Sequence, residues 1–133
     1  MDCFKVVVLG VIFDPQKKKF LIGKRENDPH IPELEWCFPG GRASHNEDVD
    51  KTLKKKIKEK TGYTIKNLGS IFVTNYSNKT DFMGVYFLTE VFEGEEKIGD
   101  GITELKWVTP KELEEHFKHP LPPRLKEYLT NLV

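Results

Sequence analysis

Apolar positions run along the chain with two different periods. From Phe4 to Phe13 the residues are mostly Val, Ile and Leu, a composition that predicts a buried strand. Asp14-Pro15 opens a turn, Lys17, Lys18 and Lys19 form its solvated tip, and Phe20 to Arg25 returns as a second strand, so the opening reads as a hairpin. Asn27 to Glu35 carries Pro29 and Pro32 and is expected to be a loop. Between Glu47 and Thr61 the period changes: Val49, Leu53 and Ile57 recur at i, i+4 and i+8, one apolar stripe on a charged helix. Ser44 with Glu47, or Asn46 alone, is placed to cap its start, and Gly62 to end it. Ser70 to Tyr76 and Phe82 to Phe92 predict a second hairpin, followed by an acidic loop from Glu93 to Gly101 and a short strand from Leu105 to Val108. Thr109, Pro110 and Glu112 spell a capping box with Pro at the first helical position. Pro122-Pro123 starts a last helix with Leu125, Leu129 and Leu132 on its inner side. The pattern is α+β, a mixed sheet with helices against it.

Composition narrows the class. A chain of 133 residues holds one domain and not two comfortable cores. Nine Phe, four Tyr and two Trp within a 38% hydrophobic chain exclude wholesale disorder. Twenty-one basic residues balance twenty-one acidic ones, which removes the global field that would argue for nucleic acid or an anionic membrane. The longest apolar stretch, Val6 to Phe13, is broken by Gly10 and falls well short of the about 20 residues that span a bilayer. Asp2 and Lys5 before it and Asp14-Pro15-Gln16 after it do not read as a signal peptide. Cys3 and Cys37 have no metal or redox spacing, so a reduced, cytoplasmic protein is expected.

The chemistry concentrates in one segment. Trp36-Cys37-Phe38-Pro39-Gly40-Gly41 is followed by five residues, Glu47, seven more, and then Lys55-Lys56-Ile57-Lys58-Glu59-Lys60-Thr61-Gly62-Tyr63. This resembles the Nudix box, G-x5-E-x7-R-E-U-x-E-E-x-G-U, where U is bulky and apolar. Gly41, Glu47, Ile57, Glu59, Gly62 and Tyr63 fall in register. Leu21 to Arg25 is similar to the strand that precedes the box in that family, and Thr103 to Leu113 to the strand-to-helix segment near its C-terminus. The resemblance covers most of the chain and implies a Nudix-type α/β/α sandwich, a mixed β-sheet between helices, as one domain over residues 1–133. It also implies a nucleotide or nucleotide-linked small molecule as partner, and hydrolysis of a diphosphate with Mg²⁺ or Mn²⁺ as cofactor.

In the box, acids at helix positions i, i+3 and i+4 share one side and make a three-carboxylate claw for a hard cation. The glycine, here Gly41, lets a backbone carbonyl approach the same ion. This chain holds Lys56, Glu59 and Lys60 at those positions, so two carboxylates have become two ammonium groups. At about 4 Å and an effective dielectric of about 20, one ammonium opposes a divalent ion by about 8 kcal/mol before screening and side-chain movement. A fraction of that lowers metal affinity by orders of magnitude. Lys55 stands where the box has Arg and can still pair with Glu47, without bidentate geometry.

Two readings follow. In the first, the fold keeps a nucleotide pocket with Arg25, Gly40, Gly41, Lys56, Lys60 and Tyr76 around the ligand, and hydrolysis is weakened or lost. In the second, Glu59 and Glu47 hold a metal beside the Gly41 carbonyl, substrate phosphates complete its shell, and Asp100 or Glu104 serves as base. The acidic run that supplies those two residues is equally a solvated loop. An RNA-binding module using the Lys-rich helix is a third class, although no stacking aromatics interleave its lysines. Arg25 is placed either to meet a phosphate or as a solvated strand-end residue. Tyr76, Phe82 and Trp107 are base-stacking candidates or core. His30, His45, His116 and His119 lack metal spacing, and Cys37 reads as a small buried hydrophobe. Asn78 and Lys79 occupy the neighbourhood where Nudix subfamilies carry a marker Pro or Tyr, so no substrate is singled out, and a homodimer is compatible with the sequence.

Overall fold

The computed structural model describes residues 5–25, 36–44, 46–75, 82–118 and 120–133. Strand β1 (Lys5–Asp14) is the axis, because its alternating side chains are buried on both faces. Val7, Leu9 and Val11 point to one side, joined by Phe20 and Ile22 of β2 (Lys19–Arg25). They pack on Leu113 of α2 (Pro110–His116) and on Leu125 and Leu129 of α3 (Pro123–Leu132). Val8, Ile12 and Leu21 point the other way, onto Leu53 and Ile57 of α1 (Val49–Thr61). Each such side chain, taken fully out of water, contributes about 1.5–3 kcal/mol. The result is a sheet between helices, an α/β/α sandwich.

On one edge β1 runs parallel to β6 (Phe82–Gly94), from Lys5↔Phe82 to Ile12↔Thr89. Beyond β6, the antiparallel strand β5 (Tyr63–Asn75) closes that side as the predicted second hairpin. On the other edge the first hairpin exists only near its tip, at Ile12↔Leu21, Phe13↔Phe20 and Asp14↔Lys19. Past these pairs β1 and β2 part, and the segment from Trp36 to Ala43 fills the gap. Strand β4 (Gly40–Ala43) pairs with the start of β1, and β3 (Trp36–Cys37) with the end of β2. The Gly10 N–H donates to the Pro39 carbonyl at 2.7 Å, fixing the corner between them. This splaying carries Gly40 and Gly41 into the middle of the molecule. β7 (Ile102–Val108) pairs with the remaining edge of β2.

Several local expectations are corrected. The N-cap of α1 is Asp48, whose Oδ1 accepts from the Asp50 and Lys51 N–H groups at 2.9 and 3.2 Å, and not Ser44 or Asn46. Ser44 and Glu47 bond each other one turn earlier, and Asn46 takes a left-handed conformation (φ 71°). Val49, expected in the buried stripe, is 41% exposed at the first helical position; Thr52 turns inward instead, and the stripe continues from Leu53 and Ile57 to Lys60 and Thr61. β5 starts at Tyr63 rather than Ser70, and β7 at Ile102 rather than Leu105. Between β6 and β7, Gly99 to Ile102 forms a tight turn. The Ile102 N–H donates to the Gly99 carbonyl at 3.1 Å, and Asp100 (φ 43°) and Gly101 (φ 82°) are both left-handed. Gly62 ends α1 at φ 82° as expected, and the Thr109–Glu112 capping box forms in both directions. Among the described residues no helix is long and apolar enough to cross a membrane.

Candidate functional site

The site is built where β4 meets the last turns of α1. Gly40 has no space for a side chain, since an added Cβ would collide with the Val8 carbonyl oxygen. At Gly41 an added Cβ would lie 3.0 to 3.3 Å from Cδ, Cγ and Cε of Lys56, so the Lys56 stem lies directly on the glycine backbone. One turn further along α1, Lys60 is buried, with 5% of its surface exposed. It lines a cavity of about 10 Å³ with Arg25, Cys37, Gly40, Gly41 and Ile102, room for about one water or one ligand oxygen.

Three cations thus converge under and over the glycine strand. Burial is the main force pushing the Lys60 ammonium towards its neutral form, and the Arg25 guanidinium adds to it, with Lys56 a smaller contribution in the same direction. Cys37 and Asp100 oppose the shift. Asp100 is therefore the acid that the 99–102 turn brings into the electrostatic field of Lys60. Glu104 lies further along, exposed on β7, in register with Lys24.

Glu59 is exposed on α1 and lines a groove of about 600 Å³ with Lys58, Gly62, Glu95, Glu96 and Gly99. Its carbonyl oxygen packs on Gly99 so closely that a Cβ there has no space. The Lys97 N–H donates to the Thr61 carbonyl at 2.8 Å, which ties the loop to the helix end. Glu47 sits at the opposite end of α1. Its Oε1 accepts from the Ser44 N–H and its Oε2 from the Thr52 hydroxyl, each at 3.1 Å. The Ser44 bonds hold its carboxyl below the ordinary range, with Thr52 and Lys55 adding to this. From Val49 to Glu59 alone the helix rises about 15 Å, so Glu47 and Glu59 do not converge on a single ion. Tyr76 lies outside the described residues, as do His30, His45 and His119.

The donor set does not suit a divalent cation. Lys56 covers the Gly41 backbone, Lys60 fills the inner position, Glu47 is spent on the helix entry, and Glu59 remains as one exposed carboxylate. Among the described residues no three His, Cys, Asp or Glu side chains gather in a way that could hold a metal ion. Two partnerships lay outside the sequence reading. Cys37, buried as expected, shares the Lys60 cavity. Trp107, half-buried, donates its Nε1–H to Glu96 at 2.8 Å. His116 packs edge-on to Trp36 at 5.1 Å and lies between the Glu112 carbonyl and Lys106.

A sheet covered on both faces, with a glycine strand closed against the C-terminal half of its first helix, defines a particular class of α/β/α sandwich. A sequence profile of the NUDIX domain matches residues 4–132, and the chain belongs to the Nudix family. Among curated relatives, an 8-oxo-dGTP diphosphatase of Buchnera aphidicola is 28% identical over 116 residues, covering 87% of this chain and 85% of that protein. An ADP-ribose pyrophosphatase of Methanocaldococcus jannaschii is 30% identical over 107 residues, covering 77% of this chain and 60% of that one. A NUDIX hydrolase structure from Nitrosomonas europaea superposes with a TM-score of 0.77 at 17% identity, over 97% of this chain and 72% of that one. A MutT NUDIX hydrolase structure from Burkholderia pseudomallei gives a TM-score of 0.71 at 19% identity, over 97% of both chains. These structural likenesses establish the fold.

Proposed function

We propose that this chain is a Nudix-fold protein that binds nucleoside-diphosphate-type ligands through fixed cations, with metal-dependent hydrolysis weakened or lost. The observation that carries the reading is the buried ammonium of Lys60 beneath Gly40 and Gly41, with Arg25 in its field and Lys56 lying over Gly41. A desolvated cation with cationic neighbours gains most from an anion. Phosphoryl oxygens at the mouth of the cavity would be neutralised by Lys60 and Arg25, and Lys56 would swing onto the ligand as a point charge. The side-chain-free glycine strand lets the ligand approach the backbone. The groove beside Glu59 shares the 99–102 turn with this cavity and is large enough for the rest of a nucleotide. The reading places the protein in the cytoplasm, where the thiol of the buried Cys37 stays reduced.

Calorimetric titration with ADP-type ligands in EDTA tests this. Affinity that persists in EDTA and falls in Lys60→Met supports it. Binding that requires Mg²⁺ or Mn²⁺ contradicts it.

A second reading, an active pyrophosphohydrolase, is favoured by the exposure of Glu59 on the groove and by the activities named for the two curated relatives. There Glu59 would be the principal metal ligand, with Asp100 or Glu104 as base. Divalent-dependent release of phosphate or pyrophosphate that vanishes in Glu59→Gln would establish this reading and displace the first.

A further inference from the structure

A second cavity, of about 320 Å³, lies at the other end of β1. Leu9 lines the Lys60 cavity, whereas Phe13 and Asp14 line this one, so roughly 15 Å of strand separates them. Tyr63 and Trp107 give it aromatic walls, whereas the Phe13 ring packs on the opposite face of the sheet; Asp14 and Lys17 stand at its rim. The volume is at the small end of the range for ligand pockets.

The two rings from β5 and β7 are held in one arrangement by one oxygen. Glu96 Oε1 accepts from the Trp107 indole N–H at 2.8 Å and from the Tyr63 hydroxyl at 3.3 Å, and the rings stand edge-to-face with centroids 6.4 Å apart. An anionic acceptor on an indole N–H and a phenol O–H pushes electron density into both rings, which makes their faces better partners for a cation. The charge around them has the same sense. Asp14, with Glu96 bonded to both rings, stands against the exposed Lys17. Asp14 uses Oδ1 to accept from the Gln16 and Lys17 N–H groups at 2.9 and 3.2 Å, which fixes the turn that forms the rim. Aromatic walls with surplus negative charge repel a phosphate and suit a positive organic group.

We propose that this cavity binds a small organic ammonium ion, with its alkylated nitrogen over the Tyr63 and Trp107 faces and Asp14 neutralising its charge. The site is separate from the Lys60 cavity and stands whether or not that cavity binds nucleotides.

The probe is choline, with its neutral isostere 3,3-dimethylbutan-1-ol as control, titrated into the full-length ¹⁵N-labelled chain while the Trp107 indole N–H resonance is followed. A saturable shift with choline is expected, with the neutral isostere weaker by about tenfold or more. Asp14→Asn is expected to weaken choline by a similar factor without loss of fold, because Asn keeps the acceptor that makes the turn. Lys17→Ala, which removes the competing cation, is expected to tighten it. Equal response to choline and its isostere, no saturable response, or choline binding unchanged in Asp14→Asn would each overturn the proposal.

Discussion

At the scale of the residue, Lys60 decides the character of the site. An ammonium in a position of 5% exposure costs stability unless something anionic meets it. Lys60→Met is therefore expected to raise the melting temperature of the ligand-free protein, by roughly 1 kcal/mol or more in stability, while lowering nucleotide affinity at least about tenfold; thermal denaturation with and without ligand checks both halves. A fall in stability would mean that the ammonium is already well paired in the free protein. Gly40→Ala is expected to destabilise by about 1–3 kcal/mol or more, because its Cβ meets a backbone carbonyl and not a flexible side chain. The sequence displayed the two lysines where acids belong, but it did not display their depth. Lys60 follows Ile57 by three residues and so lies on the buried stripe, a consequence of α1 starting at Val49 with Thr52 turned inward.

At the scale of the element, caps explain where helices begin and what acid does to them. Thr109→Ala removes one half of a reciprocal box and is expected to cost about 1 kcal/mol in chemical denaturation. Glu112, the other half, has its carboxyl held below the ordinary 4.5 by the Thr109 backbone and hydroxyl. A depressed carboxylate contributes stability that is present above its ordinary value and is lost as pH falls through the lowered one. Glu112→Gln should accordingly lower stability most at neutral pH and progressively less as pH falls below about 4.5, which flattens the acid limb of the stability curve. Helices were legible because Leu53, Ile57, Leu125 and Leu129 recur with helical spacing and the stop and start residues stand beside them. β3 and β4 were not, since Trp36-Cys37 and Gly40–Ala43 have no strand pattern of their own and become strands only by filling the gap between β1 and β2. The first half of β5 escaped for a related reason. Lys66-Asn67-Leu68-Gly69 is a poor strand sequence, held extended by β6 and by the bond from Asn67 to Asp50 at 2.9 Å.

At the scale of the whole molecule, the chain has the Nudix fold, and Lys56 and Lys60 stand at two positions where the box motif carries acids. The sheet lies between helices, and the family resemblance rested on Gly41, Glu47, Ile57, Glu59, Gly62 and Tyr63 together with the flanking segments Leu21 to Arg25 and Thr103 to Leu113. Two cavities of opposite electrical character now lie at the two ends of β1, a cationic one beneath the glycines and an aromatic, acidic one beside Trp107. The most direct test of the proposed weak metal binding is a Mn²⁺ titration followed by electron paramagnetic resonance, on the native chain and on Lys56→Glu with Lys60→Glu. No stoichiometric uptake by the native chain and a gained site in the double variant are the predicted results. Tight, stoichiometric Mn²⁺ binding by the native chain that disappears in Glu59→Gln would contradict them.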